Sequence, residues 1–172
     1  MKKFIFDLDW TLYNRRDNIS ESSMQEYYNS FKPKIFLIEL LRELNENMYI
    51  FTNGNTAHAI TVLDRLGLKE FFPSEHIITR DDIQYLKPHP SGYHQVTNDF
   101  QIYNGDEVFF FEDTVVNLVT AKNFGWNTIL VGDNKFKHYN NVDHIFPHIE
   151  EALLFFIVKK KFENNRFIPV PI

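Results

Sequence analysis

The sequence contains no cysteine among its 172 residues, and this absence removes several kinds of chemistry at once. Disulfide bonds, thiolate nucleophiles and thiolate metal ligands are all excluded. The chain has only six glycines, and it contains no Gly/Ser-rich linker, internal repeat or low-complexity segment. A chain of this length without an internal linker is typical of a single domain.

Long apolar runs are missing as well, and positive charge is sparse. No stretch approaches the ~20 apolar residues that a membrane-spanning helix needs, and Asp7 comes too early for the apolar core of a signal peptide. We therefore expect a cytoplasmic protein without membrane contacts. The net charge is −5 and no long basic run precedes residues 159–161, so broad electrostatic binding of nucleic acid is not indicated.

Apolar and aromatic residues, in contrast, are plentiful. Hydrophobic residues make up 44% of the chain, and 18 residues are Phe. A disordered chain lacks the apolar surface that offsets the entropy lost on ordering, so this composition predicts a well-packed core.

Short apolar runs alternate with amphipathic segments along the chain. The runs predict strands at residues 3–8, 48–52, 76–79, 108–111 and 127–131. Apolar spacing and end signals predict helices at residues 37–44, 55–66, 91–100, 114–124 and 150–158. This alternation predicts an α/β fold with a mostly parallel sheet, helices on both faces, and ligands beyond the carboxyl ends of the strands.

Four residues mark the ends of the predicted helices. Asn55 can cap the N-terminus of the helix that follows it, and Pro90 suits a first helical turn. Gly67 and Gly125 stand where a helix commonly ends in a left-handed residue. These signals agree with the apolar spacing between them.

Two carboxylates, Asp7 and Asp9, follow the first predicted strand, with Thr11 close behind them. Carboxylates in this relation can divide the labour of phosphoryl transfer, because one can attack phosphorus while the other handles the proton of the leaving oxygen. Acidic residues at strand ends also serve as turn and capping groups. The pair alone therefore leaves both interpretations open.

Polar residues also end the later strands. Thr52 and Asn53 close the second strand, where a hydroxyl and adjacent backbone N–H groups can hold phosphate oxygens. Lys87 lies before Pro88, and taken alone this pair indicates no function. Glu112 and Asp113 close a later strand and offer the oxygen ligands that Mg²⁺ favours. Taken singly, Thr52 is equally suited to a turn or a helix cap.

In order and position, these residues resemble the four motifs of the haloacid dehalogenase (HAD) superfamily phosphatases. The matching segments are residues 6–12, 50–54, 86–90 and 109–114. The resemblance covers about residues 3–155. It implies a HAD-like Rossmannoid domain at residues 1–158, built as a three-layer sandwich, that hydrolyses phosphomonoesters through an aspartyl-phosphate intermediate.

The resemblance also implies catalytic roles. Asp7 would be the nucleophile, Asp9 the general acid and base, and Lys87 the catalytic cation. The phosphate-binding residues would be Thr52, Asn53 and Lys87. The substrate would be a small phosphorylated molecule.

The same resemblance implies a magnesium cofactor. Asp7, Asp113 and the backbone carbonyl of Asp9 would be the Mg²⁺ ligands, with Glu112 acting through water. Dehalogenation is disfavoured, because the dehalogenase branch lacks the second carboxylate of the first motif and needs no metal.

A narrower resemblance begins at Phe51. The run from Phe51 to Asn53 with His58, and later Lys87 with His89, is similar to the pyrimidine 5'-nucleotidase branch, which acts on nucleoside monophosphates. We assign neither histidine to the site. Packing on a helix face explains His58 equally well, and a position in the loop before Pro90 explains His89.

The chain departs from that branch in its cap. Only residues 12–51 separate the first two motifs, so we expect a reduced cap or flap at residues 12–33 with one small helix, which Ser22 and Gln25 open as a capping box. Such an open site admits a large substrate, such as a phosphoprotein or a nucleic-acid end, or borrows a lid from a second subunit in a homodimer.

Trp10 is a second departure, because capped relatives commonly have Gly or Asn at this position. An aromatic residue here, in a nearly capless chain, also resembles the magnesium-dependent phosphatase family, some of whose members act on phosphotyrosine or sugar phosphates. Trp10 is therefore expected to cover the leaving group of the substrate or to pack beneath Tyr13.

The C-terminal residues 159–172 are expected to form a tail, which is polar up to Arg166 and apolar with two prolines after it. The tail can lie on its own domain, be disordered or form a dimer contact. A HAD-fold interaction protein without catalysis is the remaining alternative to an enzyme.

Overall fold

The computed structural model describes residues 1–15, 21–132 and 139–165, and its framework is a parallel sheet. Within these residues six strands lie in the order β3-β2-β1-β4-β5-β6, and every neighbouring pair is parallel. The strands are β1 (Lys2–Phe6), β2 (Asn47–Phe51), β3 (Ile77–Ile78), β4 (Glu107–Glu112), β5 (Asn127–Val131) and β6 (His144–Phe146). The predicted parallel α/β fold is confirmed.

Helices connect the strands. They are α1 (Glu21–Asn29), α2 (Ile35–Leu44), α3 (Thr56–Arg65), α4 (Pro90–Asp99), α5 (Val115–Asn123) and α6 (Ile149–Asn165). Two 3₁₀ turns, Lys69–Phe71 and Ser74–His76, lead into β3. Between β1 and α2, the described residues contain only one helix, α1.

Successive side chains of β1 point into different cores, as the period of two in a strand requires. Phe4 and Phe6 belong to a core shared with α2, α3 and α6, whereas Ile5 packs in a core with α4 and α5. All three are buried. Because β1 is covered on both faces, its sequence is a continuous apolar run rather than an alternating one. The helices therefore form two layers around the sheet, as predicted.

The predicted helix ends are also confirmed. The Asn55 side chain accepts a hydrogen bond from the His58 N–H (2.8 Å), and Pro90 is the first residue of α4. Gly67 and Gly125 have φ angles of 73° and 77°, in the left-handed region where a side chain would be strained. Local chemistry is thus sufficient to place these ends.

The last helix extends beyond its predicted end at Val158, because α6 continues to Asn165. Its polar residues are ordered by contacts with the end of α2. Lys160 donates to the carbonyl of Leu44 (2.7 Å), and Lys161 pairs with Glu43 (2.7 Å). Residues 159–165 are therefore helical, and the apolar part of the predicted tail, 166–172, lies outside the described residues.

Two further predictions differ from the structure. Strand β6 was not predicted, because three residues are too short for a recognisable pattern. The small helix of the reduced cap is present as α1, but Ser22 lies inside it rather than at its cap. In the part of the chain that the structure describes, no helix has the length and apolar content needed to span a membrane.

Strand β1 lies between β2 and β4, and this order positions the site. The carboxyl ends of parallel strands meet at one edge of the sheet. The residues that follow β1 and β2 and those that end β4 therefore come together, although they are far apart in the sequence.

Candidate active site

All eight residues predicted for the site line one cleft of about 160 Å³ at this edge. The predicted residues in it are Asp7, Asp9, Trp10, Thr52, Asn53, Lys87, Glu112 and Asp113, and they are joined by Thr114 and Asn117. The expected convergence of these distant positions is therefore observed.

A buried ion-pair cluster forms the floor of the cleft. The ammonium group of Lys87 donates to Asp7 Oδ1 (2.7 Å), Glu112 Oε1 (2.9 Å) and the carbonyl of Phe51 (2.8 Å). The Lys87 side chain is only 1% exposed. Burial alone would lower the pKa of Lys87, but the carboxylates of Asp7 and Glu112 outweigh it and raise that pKa. Lys87 is therefore charged.

Asn53 orients the backbone that carries Lys87. Its side-chain amide donates to the carbonyl of Lys87 (3.0 Å), and its side-chain oxygen accepts from the Lys87 N–H (2.9 Å). Because one amide hydrogen and the side-chain oxygen are used in this way, the backbone N–H of Asn53 is the group that we expect to contact phosphate. The neighbouring Thr52 is buried, and its hydroxyl accepts from the Gly54 N–H (3.0 Å).

The acidic pair at the end of β4 divides into an enclosed and an accessible carboxylate. Glu112 is 1% exposed, and its oxygens accept from Lys87, from the Asn117 amide (2.5 Å) and from the Thr114 N–H (2.5 Å). Asp113 is partly exposed and accepts from the Thr114 hydroxyl (3.1 Å). Thr114 and Asn117 are the parts of this arrangement that the predicted site omitted.

Asp7, Glu112 and Asp113 place one carboxylate oxygen each within 4.8 Å of one another. Burial, followed by the charge of Glu112, raises the pKa of Asp7 to about 8 although Lys87 opposes this shift. The same two causes raise the pKa of Asp113 to about 6. One lysine thus does not neutralise three acidic groups. The excess of acidic groups over cations and the all-oxygen donor set fit a hard divalent cation such as Mg²⁺.

Asp9 also lines the cleft, where it belongs to a network that the sequence did not predict. Its Oδ1 is 2.6 Å from His58 Nε2 and also accepts a hydrogen bond from the Tyr13 hydroxyl. Burial and the charge of Asp9 raise the pKa of Tyr13, which keeps this hydroxyl protonated as a donor. His58, which the sequence analysis left out of the site, thus contacts a predicted site residue. His89, in contrast, caps α4.

Trp10 follows Asp9 with a φ angle of 64°, a conformation that costs energy for any residue except glycine. This backbone geometry is consistent with the Gly or Asn that we expect at this position in relatives. The Trp10 ring lines the cleft, and the guanidinium of Arg15 lies 4.5 Å from its centroid. The ring also packs partly against the core, so the two predicted roles are compatible.

The family model of haloacid dehalogenase-like hydrolases matches residues 24–125, which is more than half of the chain. The chain therefore belongs to the haloacid dehalogenase-like hydrolases. The matched range begins after Asp7 and Asp9, so these two residues are linked to the family pattern by the cleft geometry rather than by the match.

Several solved structures share the fold. A HAD phosphatase from Thermococcus onnurineus is 19% identical, with a TM-score of 0.68 over 90% of this chain and 97% of that chain. A putative beta-phosphoglucomutase from Thermotoga maritima is 15% identical, with a TM-score of 0.71 over 93% and 99%. The L-2-haloacid dehalogenase from Xanthobacter autotrophicus is 20% identical, with a TM-score of 0.62 over 80% and 67%.

The buried position of Lys87 predicts a large stability effect. Replacing it in Lys87→Met leaves the buried carboxyl groups of Asp7 and Glu112 without the cation that hydrogen-bonds to both of them, so the free energy of unfolding should fall by about 3–5 kcal/mol. The measurement is urea unfolding of metal-free protein at neutral pH. The double variant Lys87→Met/Asp7→Asn should recover part of the loss, because it replaces one of the two buried carboxyl groups that have lost their donor.

Lys159→Met is the matched control, since Lys159 is exposed on α6. It should change the free energy of unfolding by less than about 0.5 kcal/mol. Equal effects of the two lysine substitutions would contradict the assignment of Lys87 as the cation that offsets the buried acids.

Proposed function

We propose that the protein is a Mg²⁺-dependent phosphomonoester hydrolase that works through an aspartyl-phosphate intermediate. The observation that carries this proposal is the arrangement of Asp7, Asp9, Lys87 and Asp113 around one small cleft. This arrangement supplies a nucleophile, a proton carrier, a fixed cation and an acidic metal site. These are the groups that stepwise phosphoryl transfer needs.

Asp7 attacks phosphorus in this mechanism. Its Oδ1 is held by Lys87, whereas among the described residues its Oδ2 makes only a long contact with the Thr11 hydroxyl (3.3 Å). The Oδ2 lone pairs are therefore available for an in-line attack. The Lys87 ammonium group keeps Asp7 oriented and offsets negative charge as the phosphoryl group approaches.

Asp9 carries the proton. It protonates the leaving oxygen while the phosphoryl group moves to Asp7, and it then takes a proton from the water that hydrolyses the aspartyl-phosphate. Thr52 and the backbone N–H of Asn53 lie in the same cleft and would hold the equatorial phosphoryl oxygens.

The metal would be held by Asp7, Asp113 and the backbone carbonyl of Asp9. The enclosure of Glu112 by three hydrogen-bond donors favours its action through water, while Asp113 has a freer carboxylate. When bound, Mg²⁺ supplies positive charge next to the phosphate oxygens. Asp9 and the Glu112–Asp113 pair favour phosphate chemistry over dehalogenation, and the likeness to the dehalogenase extends to the fold alone.

The substrate is proposed to be a nucleoside 5'-monophosphate or a similar small phosphate. His58 and the motif that begins at Phe51 support this class. The presence of one small helix, α1, between β1 and α2 in the described residues supports a cleft that also admits phosphoproteins or nucleic-acid ends. A substrate panel decides between small phosphates and these larger substrates.

Phosphate release from such a panel tests the proposal. Nucleotides, phosphopeptides, phosphorylated oligonucleotides and an aryl phosphate should include at least one substrate whose turnover requires Mg²⁺ and stops when the metal is chelated. Asp7→Asn should lower kcat by more than about 10³-fold, because it removes the nucleophile. Asp64→Asn changes an exposed aspartate on α3 and should leave kcat unchanged.

If folded, Mg²⁺-loaded protein releases phosphate from none of these compounds, the proposal is wrong and an interaction role without catalysis is favoured. Equal activity of wild type and Asp7→Asn would instead exclude the aspartyl-phosphate mechanism.

Trp10 is proposed to contact the leaving group, because its ring lines the cleft beside Asp9. Trp10→Gly removes the ring without straining a backbone that already has a positive φ angle. We expect KM to rise about tenfold for the preferred substrate, with Trp10→Phe restoring part of the affinity. Steady-state kinetics measure KM and kcat for the two variants. If both constants are unchanged in Trp10→Gly for every substrate, Trp10 does not contact the leaving group and serves only in packing.

A further inference from the structure

The carboxylate of Asp9 is held on one oxygen only. Oδ1 contacts His58 Nε2 at 2.6 Å and accepts from the Tyr13 hydroxyl. Within the described residues, Oδ2 has no hydrogen-bond partner, and it lies on the side of Gly54. Asp9 is thus fixed at one oxygen and open to the cleft at the other.

The approach of His58 to Asp9 depends on the absence of a side chain at residue 54. A Cβ atom on Gly54 would lie 2.9 Å from His58 Cδ2 and 3.4 Å from Asp9 Oδ2. The first distance is shorter than carbon atoms tolerate. The glycine that follows Thr52 and Asn53 therefore leaves the space that the imidazole occupies.

Two further contacts hold the imidazole in place. The His58 N–H is bound by the Asn55 side chain at the start of α3 (2.8 Å), which fixes the first turn of that helix. The ring of Tyr28 on α1 packs edge-on against the imidazole, with centroids 4.9 Å apart. The Tyr28 ring also packs edge-on against Tyr13, with centroids 6.5 Å apart. Helix α1 thus contributes a ring that packs against this network.

We propose that His58 is a positioning residue that acts through Asp9, holding Oδ1 together with Tyr13 so that Oδ2 delivers the proton to the leaving oxygen; this inference rests on the proposed phosphatase function. A carboxylate oxygen only accepts hydrogen bonds, so Nε2 of His58 carries the hydrogen that it donates to Oδ1. Two donors on Oδ1 leave Oδ2 as the oxygen that binds the transferable proton.

The proton and the bonds balance in each half of the reaction. In the first half, the bond between phosphorus and Asp7 Oδ2 forms, the bond to the leaving oxygen breaks, and the proton moves from Asp9 Oδ2 to that oxygen. Asp9 becomes a carboxylate whose charge His58 and Tyr13 stabilise. In the second half, water attacks phosphorus, its proton returns to Asp9 Oδ2, and Asp7 is released.

The effect of His58 should depend on how much the leaving group needs a proton. An acidic phenol such as p-nitrophenol leaves readily without one, whereas a less acidic phenol or an alcohol does not. We therefore expect His58→Ala to lower kcat/KM about 10²-fold for poor leaving groups and less than about tenfold for p-nitrophenyl phosphate. A residue that only stabilises the fold would lower kcat/KM equally for all of them.

The experiment measures kcat/KM for a series of substituted phenyl phosphates and an alkyl phosphate, with Mg²⁺ present. A plot of log kcat/KM against the leaving-group pKa should become steeper in His58→Ala. His58→Gln should restore most of the wild-type slope, since its amide can donate where Nε2 does. Tyr13→Phe removes the other donor but keeps the aromatic packing, so it should also steepen the slope.

His94→Ala provides the matched control, because His94 is an exposed histidine on α4, where it packs against Phe124. Its slope should equal that of wild type. Unfolding curves establish whether each variant is folded. If His58→Ala is unfolded, the slopes of His58→Gln and Tyr13→Phe are used for the test instead.

The outcomes separate this inference from the proposed function. If wild type turns over the series but the slope is unchanged in the folded variants, or all substrates lose activity equally, His58 is not a positioning residue while the phosphatase function stands. If wild type turns over no member of the series, both are overturned.

Discussion

Lys87 holds its ammonium group between the carboxylates of Asp7 and Glu112, in a space bounded by the rings of Phe51 and Phe110. An isolated charge in such surroundings would be costly, and hydrogen bonds to two carboxyl groups and a carbonyl offset part of that cost. The cluster joins β1, β4 and the segment before α4 at one point. The same three charges then define the floor of the cleft, so fold and site share one interaction.

The sequence predicted much of the fold because its signals are local. Strand β1 is buried on both faces and reads as an apolar run, and Asn55 and Gly67 mark the ends of α3 by their own backbone chemistry. Strand β6 and the last turns of α6 could not be predicted in this way. The three residues of β6 form a strand only by pairing with β5, and the polar end of α6 is ordered by contacts with α2.

The site likewise contains residues that the sequence could predict and residues that it could not. Residues that follow the strands directly, such as Asp7 and Asp113, could be identified because a parallel sheet brings strand ends together. His58 and Tyr13 could not, since their roles depend on side-chain directions across the cleft and on the close approach that Gly54 permits. A histidine one helical turn after a capping asparagine does not by itself indicate a site residue. Its role can be inferred only once the structure places it beside Asp9.

Asp7 is proposed to accept the phosphoryl group covalently during turnover. The most direct test is mass spectrometry of protein that is quenched in acid during Mg²⁺-dependent turnover. The account predicts a phosphoryl group on the peptide that contains Asp7, formed and lost at the rate of turnover. Phosphate release at the full rate with no label on that peptide, or with the label on another residue, would contradict it.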